Sequence, residues 1–134
     1  MTHEKFISLL ESIGMDVNDI YIEKLDEHRY IYGRFRSTSP YFDDLNSETL
    51  AFYNNEEFAI FISRKLRYRI VKNKFRYMAE PSPYNNMTKD FQRYEMTDDE
   101  GITNAINYLS KEYKRINNVI ELKLLKKDFA WFIH

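Results

Sequence analysis

The sequence has no cysteine, three glycines, three prolines and a single tryptophan in 134 residues. Without cysteine there is no disulfide framework, no thiolate metal site and no cysteine nucleophile. So little glycine and proline argues against long flexible linkers and against a disordered or fibrous class. It also leaves no glycine-rich phosphate loop and no nucleophile elbow. Histidine is scarce and scattered: His3, His28 and His134 lie far from one another, so no transition-metal site is expected. No apolar run approaches the roughly 20 residues of a membrane span. No basic-then-apolar leader opens the sequence, and the expected setting is cytoplasmic, with no membrane partner and no cofactor.

Aromatic and β-branched residues fill the gap. There are ten Phe, eleven Tyr and thirteen Ile against five Ala. Large aromatics each bury on the order of 150–250 Å², so few layers close a core. A chain of this length has the usual size of one domain and buries roughly two-thirds of its unfolded surface. Phe, Tyr, Ile, Asn and Lys total 56 residues and Gly, Ala and Pro only 11, the balance that AT-rich coding produces. That balance points to a phage, another mobile element or a low-GC bacterium as the source.

A formal net charge of −1 conceals strong segregation. Residues 1–57 carry a net −7, residues 58–79 a net +7 with no acid at all, residues 80–100 a net −4 and residues 101–134 a net +3. Blocks of one sign set a surface field even when the total is near zero.

Along the chain, "THEKFISLLESIG" reads as a helix capped by Thr2, with Phe6, Leu9, Leu10 and Ile13 on one face and Gly14 as its left-handed stop. "DIYIEKLDEHRYIYGRFRS" alternates as a hairpin over 20–36. A two-residue loop at Asp26-Glu27 would set Ile22 against Ile31, Tyr21 against Tyr32 and, less favourably, Lys24 against Arg29. "ETLAFY" fits a short strand or a helical turn. "NNEEFAIFISRKL" reads as a helix with an Asn cap, two acids in its first turn and Phe58, Phe61, Ile62 and Leu66 on one face; a buried strand through "FAIFIS" competes. Residues 81–96 form the longest stretch without periodicity and are expected as a functional or mobile loop. Thr97-Asp98-Asp99-Glu100 is a capping box. Ile102, Ile106, Leu109, Tyr113, Ile116 and Ile120 then repeat at 4-3-4-3-4, which fits a long helix lying across a sheet or a homodimeric coiled coil through helix 98–120. Asn117-Asn118 can break that helix. The tail "DFAWFIH" is expected to pack back onto the domain. The fold expected is a single α+β domain over residues 1–134, with antiparallel hairpins packed against an N-terminal helix and a long C-terminal one.

"SRKLRYRIVKNKFRYM" (63–78) holds the whole basic block. As one strand, 67–78 scatters its cations over both faces. A two-residue turn at Lys72-Asn73 gathers them: Tyr68, Ile70, Phe75 and Tyr77 share an apolar face, and Arg67, Arg69, Lys74 and Arg76 share the other. Arg69 then opposes Arg76, a repulsion that an anion would relieve. The anion can be nucleic-acid phosphate, an acidic patch of a partner protein, or the chain's own Asp43-Asp44 or Asp98-Asp99-Glu100. The partner-binding residues expected are Arg64, Lys65, Arg67, Arg69, Lys72, Lys74 and Arg76, with Tyr84 from the neighbouring loop. No zinc-finger, helix-turn-helix or RRM-type spacing accompanies them.

Catalytic patterns are sparse. His28 beside Asp26 and Glu27 has the residue types of a base with an orienting carboxylate. Asp98 or Asp99 with Glu121-x-Lys123 matches, in residue type only, the acid set of a metal-dependent nuclease. The function expected is therefore non-catalytic: a small inhibitor that occludes an acidic surface of a host or cognate protein, of the phage or mobile-element anti-defence or toxin-immunity type. Nucleic-acid binding through 64–76 is the alternative, and a metal-dependent nuclease the remote one.

Overall fold

The computed structural model of the chain describes residues 1–22, 28–44, 47–79 and 91–133; of Ile22 and residues 127–133 it describes the backbone. Helix α1 (His3–Ser12) starts where Thr2 Oγ1 accepts the Lys5 backbone N–H at 3.1 Å. It ends at Gly14, whose φ of +91° costs a residue without Cβ little. Seven strands follow: β1 (Met15–Ile22), β2 (His28–Phe35), β3 (Ala51–Asn54), β4 (Ala59–Ser63), β5 (Leu66–Val71), β6 (Lys74–Ala79) and β7 (Phe91–Glu95). Helix α2 (Asp99–Ile133) closes the described chain. Strands β1-β2-β3-β4-β7 form one antiparallel sheet in that order, and β5-β6 a second, two-stranded one. This is the α+β single domain expected.

One face of the large sheet carries Ile31, Phe35, Ala51, Tyr53, Ile60 and Ile62, all buried, and both helices lie on it. Leu10 of α1 packs so closely on Gly33 that a Cβ there would meet its Cδ1 at 2.8 Å. Tyr113 of α2 stacks on Phe35 with ring centroids 3.8 Å apart. Ile102, Ile106, Leu109, Ile116 and Ile120 are all buried in the chain's own core. The 4-3-4-3-4 seam is thus covered from within the chain, as a long helix lying across a sheet requires. On the face away from the helices, Tyr32, Phe52 and Phe61 form a half-buried aromatic row, Phe52 stacking on Phe61 at 5.0 Å.

Several expectations are corrected. Residues 58–66 are not helical: β4 runs through them. Asn54 Oδ1 does accept the Glu56 and Glu57 backbone N–H groups at 2.9 and 3.3 Å, as an N-cap would. The chain then turns at Phe58, with φ of +51°, instead of continuing as helix. Asx turns and N-caps share this bonding, and the apolar run buried in mid-sheet settles the outcome. "ETLAFY" contributes strand β3. The first hairpin begins at Met15 and its register differs: Ile22 opposes His28, Tyr21 opposes Arg29 and Asp19 opposes Ile31. Arg29 bonds Asp19 through Nε and Nη2, both at 2.9 Å, and Glu4 at 3.0 Å, while Lys24 lies outside the described residues. Of the expected 81–96 loop, 91–95 is strand β7 and 81–90 lies outside the described residues. The α2 cap falls one residue later than the box implied: Asp98 Oδ1 accepts the Gly101 N–H at 2.9 Å. Asn117-Asn118 do not interrupt the helix, and the side chains of the 128–134 tail lie outside the described residues. Among the described residues, no helix is long and apolar enough to cross a membrane.

Candidate partner-binding site

Residues 66–79 fold back on themselves about Lys72-Asn73, which adopt φ of +51° and +66°. Two successive left-handed residues make the turn whose twist matches that of paired strands, and Asn is well suited to it. The register is the one that charge and hydrophobicity select: Val71 opposes Lys74, Ile70 opposes Phe75, Arg69 opposes Arg76 and Tyr68 opposes Tyr77. Phe75 and Tyr77 are buried, Tyr68 is half-buried, and Ile70, near the tip, stays 46% exposed. Tyr77 donates its hydroxyl proton to Asn117 Oδ1 on α2, and burial pushes its phenol well above the usual range.

The outer edge of β6 is occupied. Phe75 N–H donates to Tyr41 O at 2.8 Å, Asp43 N–H to Phe75 O at 2.9 Å and Glu48 N–H to Tyr77 O at 3.2 Å. Ala79 N–H donates to Glu48 Oε2 at 2.9 Å. This docking delivers Asp43 to the cationic face, where it accepts from Arg76 Nη2 at 2.8 Å. Self-neutralisation is therefore real at Arg76. Of the other carboxylates weighed for that role, three are engaged elsewhere. Asp44 is held by Arg36 at 2.6 Å, a hydrogen bond that lowers its pKa, Asp98 caps α2, and Asp99 pairs with Lys5 at 3.2 Å. Arg69, Lys72 and Lys74 are exposed, and among the described residues no carboxylate pairs with them.

The remaining expected residues separate. Arg64 and Lys65 lie in the short connection between β4 and β5, which Ser63 Oγ braces by donating to Lys65 O at 2.6 Å. Arg64 borders a depression with Phe61, Phe91 and Arg93. Lys65 and Arg67 instead line a cleft of about 680 Å³ between β5 and α2, with Leu66 and Tyr68 beside them and Tyr108, Glu112, Arg115, Ile116 and Val119 opposite. Tyr84 lies outside the described residues. The second wall of this cleft was not read from the sequence. Its signal was the 4-3-4 recurrence of Tyr108, Glu112, Arg115 and Val119, a helix stripe adjoining the core seam. Tyr108 is 45% exposed, Arg115 is held by Glu112 at 2.7 Å, and Lys123 Nζ stands 5.5 Å over the Tyr68 ring.

Catalytic arrangements fare worse. Glu121 and Lys123 are on a helix and not on a strand, about 33 Å along its axis from Asp99, so they cannot share a metal with it. Among the described residues, no three His, Asp or Glu side chains stand together as metal ligands. His28 Nδ1 lies 3.0 Å from Asn55 Nδ2, while Asp26 and Glu27 lie outside the described residues.

Compared with family models, with curated proteins and with solved structures, the chain matches none.

Proposed function

We propose that this protein is a non-catalytic binding protein whose β5–β6 hairpin occludes an acidic surface of another protein. One observation carries the reading: Arg69, Lys72 and Lys74 are exposed at the hairpin tip, with Ile70 exposed on its other face, and no carboxylate among the described residues pairs with them. Directly opposed arginines destabilise a sheet in isolation, and a partner's carboxylates would relieve that repulsion. Cations steer encounter and fix orientation, while an exposed apolar side chain on the other face of the same tip supplies contact area that charge alone does not. The AT-rich composition fits an inhibitor of the phage or mobile-element anti-defence or toxin-immunity type, acting inside the cell. The test is affinity capture from the native host followed by mass spectrometry, with and without nuclease. A protein retained after nuclease treatment supports the reading; loss of every captured species on nuclease treatment overturns it.

Nucleic-acid binding is a second reading, and the cleft favours it: Tyr108 is half-exposed beside Lys65, Arg67 and Arg115, the pairing of stacking surface with cations that single strands use. It requires affinity for an oligothymidylate that falls steeply as salt rises. Negligible binding at low salt removes it.

A further inference from the structure

Among the described residues, strand β5 has a neighbour on one side only, β6. The outward groups of β6 belong to Phe75 and Tyr77, because their N–H and C=O groups bond the 41–48 segment. Phe75 opposes Ile70 and Tyr77 opposes Tyr68, so in β5 the N–H and C=O groups of Tyr68 and Ile70 also point away from the hairpin, and those of Leu66 follow by alternation. No hydrogen bond reaches the backbone of Leu66, Tyr68 or Ile70 from any described residue. An unpaired edge of this kind is a template for another strand. It is open toward the tip, where Ile70 is 46% exposed and Tyr68 half-buried, and closes at Leu66, which is 2% exposed at the base of the 680 Å³ cleft wall.

We propose that the β5 edge takes up an extended acidic segment of the partner as a third strand. This rests on the binding reading above and specifies its mode of recognition. The two faces of β5 dictate the segment's chemistry. The residue of the added strand opposite Arg69 shares its face, near the exposed Lys74, and is acidic, as are its neighbours two positions away on that face. Residues opposite Tyr68 and Ile70 share the other face and are apolar, on the side of the half-buried Val119 of the cleft's far wall. The ligand is an extended segment in which acidic and apolar residues alternate. Main-chain hydrogen bonds supply affinity and the alternating side chains specificity. Charges along a strand edge also keep a monomer from pairing with unwanted chains, and that competing explanation expects no strand to bind.

The probe is a synthetic peptide alternating Glu with Val, compared with an oligoglutamate of equal charge. Residue-resolved amide hydrogen exchange is followed on the full chain. In the free protein the amides of Arg67, Arg69 and Val71 exchange slowly and those of Tyr68 and Ile70 fast. The Glu-Val peptide slows Tyr68 and Ile70, and oligoglutamate does not. Ile70→Pro, which deletes one outward N–H, weakens peptide binding by about fivefold to tenfold, whereas Ile70→Ala, which keeps it, has a smaller effect. Peptide binding that leaves both amides fast overturns strand addition while leaving the charged contact standing. Failure of both peptides to bind at low salt also overturns it, as a guarded edge would. Neither result removes a host protein captured through the hairpin tip.

Discussion

Arg69 stands directly across the β5–β6 ladder from Arg76, and among the described residues only Arg76 has a carboxylate, Asp43 at 2.8 Å, to offset its charge. The asymmetry separates stability from binding. Arg69→Glu would place opposite charges across the ladder and raise stability by roughly 0.2–1 kcal/mol. Asp43→Asn would strip a largely buried arginine of its counter-charge and lower stability by about 1–2 kcal/mol. Denaturant titration checks both signs. Partner capture should fall in Arg69→Glu although the fold is firmer, the pattern of a residue kept for function at a cost to stability.

The Tyr77–Asn117 bond ties the hairpin to α2 and is asymmetric in its environment. Tyr77 is 1% exposed and Asn117 is partly exposed. Asn117→Ala takes the acceptor from a buried hydroxyl that keeps only its bond to the Tyr113 side chain and should cost about 0.5–1.5 kcal/mol, whereas Tyr77→Phe leaves only an amide that water can reach and should cost less. Equal losses in the two variants, measured by denaturant unfolding, would contradict this account of the joint.

His3 packs edge-on against Tyr53 with ring centroids 4.6 Å apart, beside Arg29, Glu4 and Asp19. Burial, then the nearby Arg29 charge, lowers its pKa in the folded state. As pH falls below about 6.5 the unfolded chain takes up this proton first, so stability is complete above that pH and declines down to the folded-state value. Glu4 and Asp19, both lowered chiefly by their hydrogen bonds to Arg29, add their own loss only below the ordinary carboxylate range. Melting at about pH 7.5 and about pH 5.5 should show a smaller drop in His3→Phe than in the parent protein. Identical drops would remove His3 from the pH response.

The parts of the fold legible in the sequence are those where two independent constraints agree. The 67–78 hairpin was readable because only a turn at Lys72-Asn73 satisfies charge and hydrophobicity together. Helix α2 was readable because its seam repeats over five intervals. The 54–63 segment misled because Asn54, Glu56 and Glu57 serve a turn as well as a cap, and an apolar run buried in mid-sheet has no alternation to betray it. The β1–β2 register escaped because Arg29 is set by Glu4 and Asp19, partners that local pairing rules do not weigh. The cationic hairpin was visible as a pattern, but its neutralisation at Arg76 was not decidable, since it depends on a loop docking along β6 and carrying Asp43 with it. The cleft needs α2 laid against β5, a tertiary contact that neither segment encodes alone.

The central claim is tested by comparing capture from the native host by the parent protein, by a hairpin-tip variant and by a charge-matched control. The tip variant is Arg69→Glu/Lys72→Glu/Lys74→Glu, and the control is Lys111→Glu/Lys114→Glu/Lys126→Glu on exposed positions of α2. The account predicts a nuclease-resistant protein partner that the control retains and the tip variant loses. Equal retention by both variants, or equal loss from both, would contradict it.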